Sequence, residues 1–421
     1  MPASNASLID SAVGKKYVVS SACRISGSDR MVDLLCLGDQ PLANSLKKNP
    51  SDDELKVPLT LSFCPESSLV QIRETVHKET LFSSYVWVSG TSATTREYAK
   101  KFARDIVGTA ALRPDDLVLE IASNDGTFLK PFLDLGHKNI LGVDPASNIV
   151  EMANKDGVRT LTQFWDRSAA EKVAGQYGKA KVIIARNVIP HVSELQDVMA
   201  GVELALKDDG IGVFEFHYAG EILDGLQYDS IYHEHLCYFS LASIGFLLKR
   251  FHLHLFHAGF SPISGGSLVV YFSKKKRERS PALAEIGRSE EARRINRLET
   301  WQEFAGKCAA HRQKSLELFS SLSQKTIIGF GTSARSSTYL NFCGFTNKQI
   351  KAAIDNNPLK QGQYAPGSSI PIVPFEEGLA MRPDLIFIFA WNFRDEIIQR
   401  CRKGGYGGKF LTAFPNELEF V

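Results

Sequence analysis

Residues Val118–Gly126 read VLEIASNDG, and Val143-Asp144-Pro145 follows them at a spacing that confines the surrounding chain to few folds. An apolar run that ends in Glu120 and turns into a Gly-bearing loop suits a strand of a doubly wound parallel sheet. In such sheets ligands sit beyond the carboxyl ends of the strands. A second run, Ile140–Val143, also leads into an acid. That acid lies about 20 residues past the loop, the separation at which nucleotide sites set a carboxylate against ribose hydroxyls. The loop is not G-x-G-x-x-G, so a pyrophosphate cradle, and with it an NAD-dependent dehydrogenase, finds little support. An acid just ahead of a small-residue loop better suits a cofactor with a cationic, amino-acid-like end, and S-adenosylmethionine (SAM) has such an end.

The strand-like runs Leu117–Ile121, Ile140–Val143, Lys181–Ala185 and Gly212–Phe216 alternate with the amphipathic stretches Gly126–Leu135, Ala146–Lys155, Ser168–Gln176 and Val192–Leu206. Alternation of this kind predicts a parallel sheet covered on both faces. Thr95–Ile106 has helical spacing, and Leu268–Ser273 reads as a late strand closing the unit. Upstream, short apolar runs (Tyr17–Val19, Leu59–Phe63, Leu69–Ile72) surround a polar insertion, Lys47–Lys56. Downstream, Lys274–Arg277 reads as a solvated linker to one long helix, Pro281–Leu322, with Ile295, Leu298, Trp301, Ala305 and Cys308 on one stripe. The pattern then restarts. Thr326–Phe330 leads into Gly331-Thr332-Ser333-Ala334, Ile350–Ile354 into Asp355, and Leu385–Phe389 into Ala390-Trp391-Asn392. The expectation is an α/β protein in three parts: a small, zinc-domain-like N-terminal module over 1–83, a central Rossmann-like SAM-binding domain over 84–277, and a C-terminal helix plus Rossmann-like domain over 278–421.

A chain of 421 residues exceeds what one core usually organises, in keeping with several domains. A formal charge of +2 gives no net electrostatic case for nucleic acid. No apolar run is long enough for a bilayer and no leader is evident, so no membrane partner is expected and the cytoplasm is the default. Seven scattered cysteines suit reduced thiols there. Cys23-Arg24-Ile25-Ser26 and Cys64-Pro65-Glu66-Ser67 look like two zinc knuckles whose second ligands are serine. Zinc takes four good donors, a neutral hydroxyl replaces a thiolate poorly, and Cys36 is the only spare thiol nearby. No metal is expected.

Tyr232-His233-Glu234-His235, beside Tyr228 and Asp229, puts four adjacent proton-transfer or hydrogen-bonding groups in a chain with only ten histidines. One His could act as a base while Tyr and Glu orient or polarise the reacting group. His233 and His235, alternating on a strand, could instead share a metal, but no further ligand stands at a characteristic spacing. A polar surface loop is the plainest alternative. Arg186–His191 follows another strand end, so His191 faces the same crevice as Glu120 and Asp144.

These blocks, taken in order, resemble the SAM-dependent C-methyltransferases that act on nucleotide-linked 4-keto-deoxysugars at C3. The resemblance rests on Leu37–Asn44, Ser89–Ser92, Glu120–Gly126, Asp144-Pro145, Tyr232–His235, Gly265–Leu268, Asp355–Pro358, Lys360–Gly362 and Ala390–Asn392, and it covers nearly the whole chain. It implies a substrate sugar carried on a nucleotide, TDP being favoured, in a cleft between three domains. It further implies that His235 removes the proton beside the ketone and that Tyr232 and Glu234 hold the sugar and assist at the enolate. Tyr85 and His191 would complete that pocket. SAM would lie among Glu120, Ala122, Ser123, Asn124, Gly126, Asp144, Pro145, Gln163, Phe164 and Asn187. Four positions make three departures from the family pattern: Ser26 and Ser67 at metal cysteines, Val269 where a basic residue is common, and Trp87 at another aromatic. An O- or N-methyltransferase, which needs no enolate stabiliser, and a non-catalytic binding protein are the rival readings.

Overall fold

The computed structural model describes residues 16–82, 89–91, 93–261 and 265–421. Among them, a seven-stranded sheet forms the middle of the molecule. Ranked by chain order, its strands run 3-2-1-4-5-7-6 across the sheet: Thr160–Thr162, Ile140–Asp144, Val118–Ile121, Ala180–Arg186, Leu206–His217, Ser267–Ser273, His254–Ser261. The first five are mutually parallel, and the last two form an antiparallel pair at one edge. Val118–Ile121 and Ala180–Arg186 bury nearly every side chain, because helices cover both faces. Those helices begin where the sequence offers caps. Asp166 accepts from the Ala169 N–H at the start of Arg167–Tyr177, and Ser240 makes a capping box for Leu241–Arg250.

Strand order reverses between Val118–Ile121 and Ala180–Arg186, and such a switch point opens a crevice at the carboxyl ends. The C-terminal sheet repeats the plan, with six strands ranked 3-2-1-4-5-6: Ile372–Val373, Ala353–Ile354, Ile327–Phe330, Leu385–Ile388, Lys409–Thr412, Glu419–Phe420. Its own switch point lies between Ile327–Phe330 and Leu385–Ile388. Gly331 leaves the first of these strands at φ +88°, a left-handed turn that Ser333 follows by capping the helix Ala334–Cys343.

The N-terminal sheet is antiparallel, in the order Cys237–Tyr238, Leu69–Ile72, Lys56–Cys64, Val32–Pro41. Its edge strand, Cys237–Tyr238, comes from the middle of the chain and follows the Tyr232–His235 block directly. One apolar core runs continuously from Ile25 and Phe63 through Ile183 and Phe214 to Trp301, Phe387 and Phe414.

Two expectations need correction. The single helix over Pro281–Leu322 is two, Pro281–Ala292 and Leu298–Ser321. They are broken where Asn296 turns inward to bond Ser240 and Glu290. The basic run is not merely solvated: Lys274 is mostly buried against Glu203 and Asp208, and Arg277 bonds the Asp209 carbonyl and lies over Phe256.

Candidate active site

The carboxyl ends of four adjacent strands gather the residues expected around SAM. Ala122 and Asn124 take left-handed φ of 54° and 51°, folding the loop after Glu120 back on itself, and Asn187 does the same at 49°. Asp144 ties that loop down, its carboxylate accepting from the backbone N–H of Asn124 and of Ala146, each at 2.9 Å. The two bonds favour the ionised form, while burial pushes the Asp144 pKa up. Asn124 in turn accepts from the Ser89 N–H, and Asp125 from that of Gly90. Gly126 has φ +78°, and a Cβ there would stand 2.8 Å from Val158. Gln163 and Phe164 follow the strand Thr160–Thr162; Gln163 N–H donates to the Asp144 carbonyl, and Phe164 is exposed beside Lys78.

Glu120 is fully buried at this edge, and its Oε2 has no hydrogen-bond partner among the described residues. Burial pushes its pKa up to about 8, against the opposing pull of Arg186. Arg186 is itself committed elsewhere, donating to Glu215 at 2.6 Å and lying over the Phe128 ring. A buried acceptor lacking a donor costs free energy unless a ligand supplies one. A cationic group beside Glu120 would meet that need, so the residues present fit a SAM-type ligand. The Arg186–Glu215 pair beneath them was missed in the sequence because its partners come from different strands.

The second group of residues lies on the turn between Tyr228 and Cys237. His235 Nδ1 stands 2.7 Å from the Ser230 carbonyl, which can only accept, so Nδ1 carries the proton. Nε2 therefore holds the lone pair, and the Tyr232 hydroxyl donates to it at 2.7 Å. Burial, helped by the neighbouring His191, moves the His235 pKa well down, so its imidazole is neutral. The His191 ring lies 4.9 Å from that of His235, and its Nδ1–H donates to the Glu234 carbonyl at 2.6 Å. Burial lowers the His191 pKa to about 4. Glu234 accepts from Asn44 at 2.6 Å, and burial raises its pKa to about 7. A bond from the Leu236 N–H to the Pro190 carbonyl holds this turn against the His191 segment.

Tyr232, His235 and His191 thus come together around the Glu234 backbone carbonyl, while the Glu234 carboxyl bonds Asn44. His233 does not join them: it is on a turn rather than a strand, and its Nε2 approaches the Val57 and Pro58 carbonyls of the N-terminal sheet. The metal reading for His233 and His235 fails on that geometry. Tyr85 and Trp87 lie outside the described residues. Asn44, as the partner of Glu234, was not singled out from its motif.

The two knuckles do converge, but as hydrogen-bonding partners. Cys23 Sγ lies 3.2 Å from Ser67 Oγ, and Ser26 Oγ lies 3.6 Å from Cys64 Sγ. Two thiols and two hydroxyls satisfying one another do not fit a zinc ion. Among the described residues, no group of three or more His, Cys, Asp or Glu is placed to hold a metal.

Three family models match in tandem: a putative zinc binding domain over residues 23–82, a methyltransferase domain over 95–258 and a C-methyltransferase C-terminal domain over 262–415. C-methyltransferase NovU of Streptomyces niveus is 31% identical over 400 residues, a match covering 93% of this chain and 95% of that one. Solved structures also align. Magnesium protoporphyrin IX methyltransferase from Synechocystis PCC 6803 with bound SAM does so over 43% of this chain and 79% of its own, at 14% identity and a TM-score of 0.33. The glycopeptide N-methyltransferase MtfA complexed with SAM does so over 46% and 97%, at 13% identity and 0.34. Superpositions that loose carry no argument. The near full-length match does, and with it the family expected from the ordered motifs is borne out: the chain belongs to the SAM-dependent C-methyltransferase family.

Proposed function

We propose that this enzyme methylates C3 of a nucleotide-linked 4-keto-deoxysugar, TDP being the favoured carrier, through an enolate generated by His235. The observation that carries the reading is the fixed tautomer of His235, a neutral imidazole whose basic nitrogen sits against the Tyr232 hydroxyl. A C–H beside a ketone is a weak acid. Removing its proton requires a positioned base and donors aimed at the oxygen that gains charge. His235 Nε2 takes the C3 proton once the substrate displaces the Tyr232 hydroxyl, and that hydroxyl then turns to the ketone oxygen. Glu234, with its pKa near neutrality and Asn44 holding one oxygen, supplies a second donor to the sugar. His191, whose ring lies against that of His235, completes the pocket wall.

Glu120, Ala122–Gly126, Asp144, Pro145, Gln163, Phe164 and Asn187 would hold SAM at the crevice of the middle sheet. Bound there, SAM supplies an electrophilic methyl. Glu120, with its unpartnered Oε2, would hold the cationic end, Asp144 would take the ribose, and the 122–126 loop that Asp144 ties down would orient the cofactor. Zinc takes no part in this reading.

Incubation of a TDP-4-keto-deoxysugar with the enzyme in deuterated water tests the chemistry. The C3 proton should exchange, and a methyl should appear on that carbon when SAM is added. His235→Ala should abolish both while leaving SAM affinity nearly unchanged. Methylation of oxygen or nitrogen instead, or full turnover by His235→Ala, would overturn the assignment.

A further inference from the structure

The Ser230 carbonyl decides which nitrogen of His235 carries the proton, so whatever holds Ser230 also sets the base. Ser230 belongs to a single 3-10 turn, Tyr228–Ser230, that is buried throughout. Within the turn, the Ser230 N–H and hydroxyl both donate to the Gln227 carbonyl. Within the same domain, His217 Nε2 bonds Gln227 Oε1 at 3.0 Å and the Gln227 N–H donates to the Ile222 carbonyl; further restraints come from the C-terminal part of the molecule. Thr338 Oγ1 donates to the Ile231 carbonyl at 2.8 Å, and Trp391 Nε1 to Asp229 Oδ2 at 2.8 Å. Arg335 reaches Gln227 Oε1 at 3.4 Å and lies over the Trp391 ring, while the Tyr228 hydroxyl meets His311 Nδ1 at 2.8 Å.

Arg335 and Thr338 stand on the helix Ala334–Cys343, which leaves the strand Ile327–Phe330; Trp391 follows the strand Leu385–Ile388. These are the strands that flank the switch point of the second sheet. The edge where a Rossmann-like unit usually receives a ligand is here also turned against a loop of the first unit. Gln227 and Asp229 are buried, and Asp229 Oδ1 has no hydrogen-bond partner among the described residues. Burial pushes the Asp229 pKa up, and Arg335, the Trp391 N–H and the backbone of the turn itself pull against it in favour of the carboxylate.

We infer that Thr338 and Trp391 are positioning residues for the reaction: through the 227–231 turn they keep the Ser230 carbonyl where it holds His235 with Nε2 unprotonated and in place. The inference rests on His235 being the base. Displacing a reacting group by about 1 Å costs rate on the order of 10- to 100-fold, with little effect on groups that only bind.

The test uses the full chain and a TDP-4-keto-deoxysugar. Thr338→Val removes the donor at nearly constant shape, Trp391→Phe removes the indole N–H, and Thr338→Ser restores a hydroxyl. Steady-state turnover and C3 proton exchange in deuterated water are measured for each, beside His235→Ala. Thr338→Val and Trp391→Phe should each lower kcat and exchange about 10- to 100-fold. KM should stay within about twofold, and Thr338→Ser should recover most of the loss. If His235→Ala still exchanges the proton, the base assignment itself fails. If His235→Ala is inactive while Thr338→Val and Trp391→Phe retain full kcat, the positioning role alone is refuted. A loss that Thr338→Ser fails to recover, or that appears wholly in KM, refutes it too.

Discussion

Glu120 and His235 are both kept neutral by burial, with opposite consequences on titration. Glu120 has a folded pKa of about 8 against an ordinary 4.5. Its contribution to stability is therefore complete below pH 4.5 and is lost as pH rises through about 8. A cationic ligand placed against it should lower that pKa, so binding SAM at pH 7 should release up to about one proton. Calorimetry in buffers of different ionisation enthalpy reads this directly. Glu120→Gln should bind with no proton release, and a wild-type enzyme that releases none would show that Glu120 does not face the ligand's charge. Local pattern made Glu120 and Asp144 legible because each ends an apolar run. The Asn44–Glu234 bond and the Thr338–Ile231 bond join residues 190 and 107 positions apart, which no local periodicity encodes.

Among the elements, the pair of knuckles shows how a small module closes around hydrogen bonds in place of a metal. Ser26→Cys together with Ser67→Cys should restore a four-thiol site that takes up one zinc per chain, making melting sensitive to chelators. The unmodified protein should carry no stoichiometric zinc and melt at the same temperature with or without chelator; elemental analysis and calorimetry check both. A second element-scale linchpin is Glu290, buried at the end of the helix Pro281–Ala292. It accepts from the N–H groups of Leu241 and Ala242, from the Tyr218 hydroxyl and from Asn296. Glu290→Ala strands those donors and should cost about 2–4 kcal/mol in denaturant unfolding. The helix break at Arg293–Arg297 was hidden for the same reason, since it serves Asn296 rather than a local Gly or Pro. The strand Val32–Pro41 was overlooked because its register shifts between Asp33 and Leu35, and again between Cys36 and Asp39, interrupting the two-residue alternation.

Across the whole molecule, His191, His217 and His235 have pKa values below the ordinary 6.5 because burial penalises their charged forms. Unfolding lets them take up protons, so the stability they allow is present above pH 6.5 and is lost as pH falls below it. Melting temperature should drop between pH 7 and pH 5, most steeply below 6.5; a flat profile would show that these imidazoles ionise in the native state. The two Rossmann-like units were readable from strand–helix alternation, but their mutual grip was not, since it is made by side chains from distant parts of the chain. The strand Cys237–Tyr238 carries this furthest. It zips onto Leu69–Ile72 two residues after His235, so the turn that carries His235 is stapled at its far end to the N-terminal sheet. Chimeras that exchange only the first 83 residues between relatives would tear that seam, whereas grafts that move 227–238 along with them would keep the strand pairing matched but would have to find Thr338 and Trp391 again in the recipient.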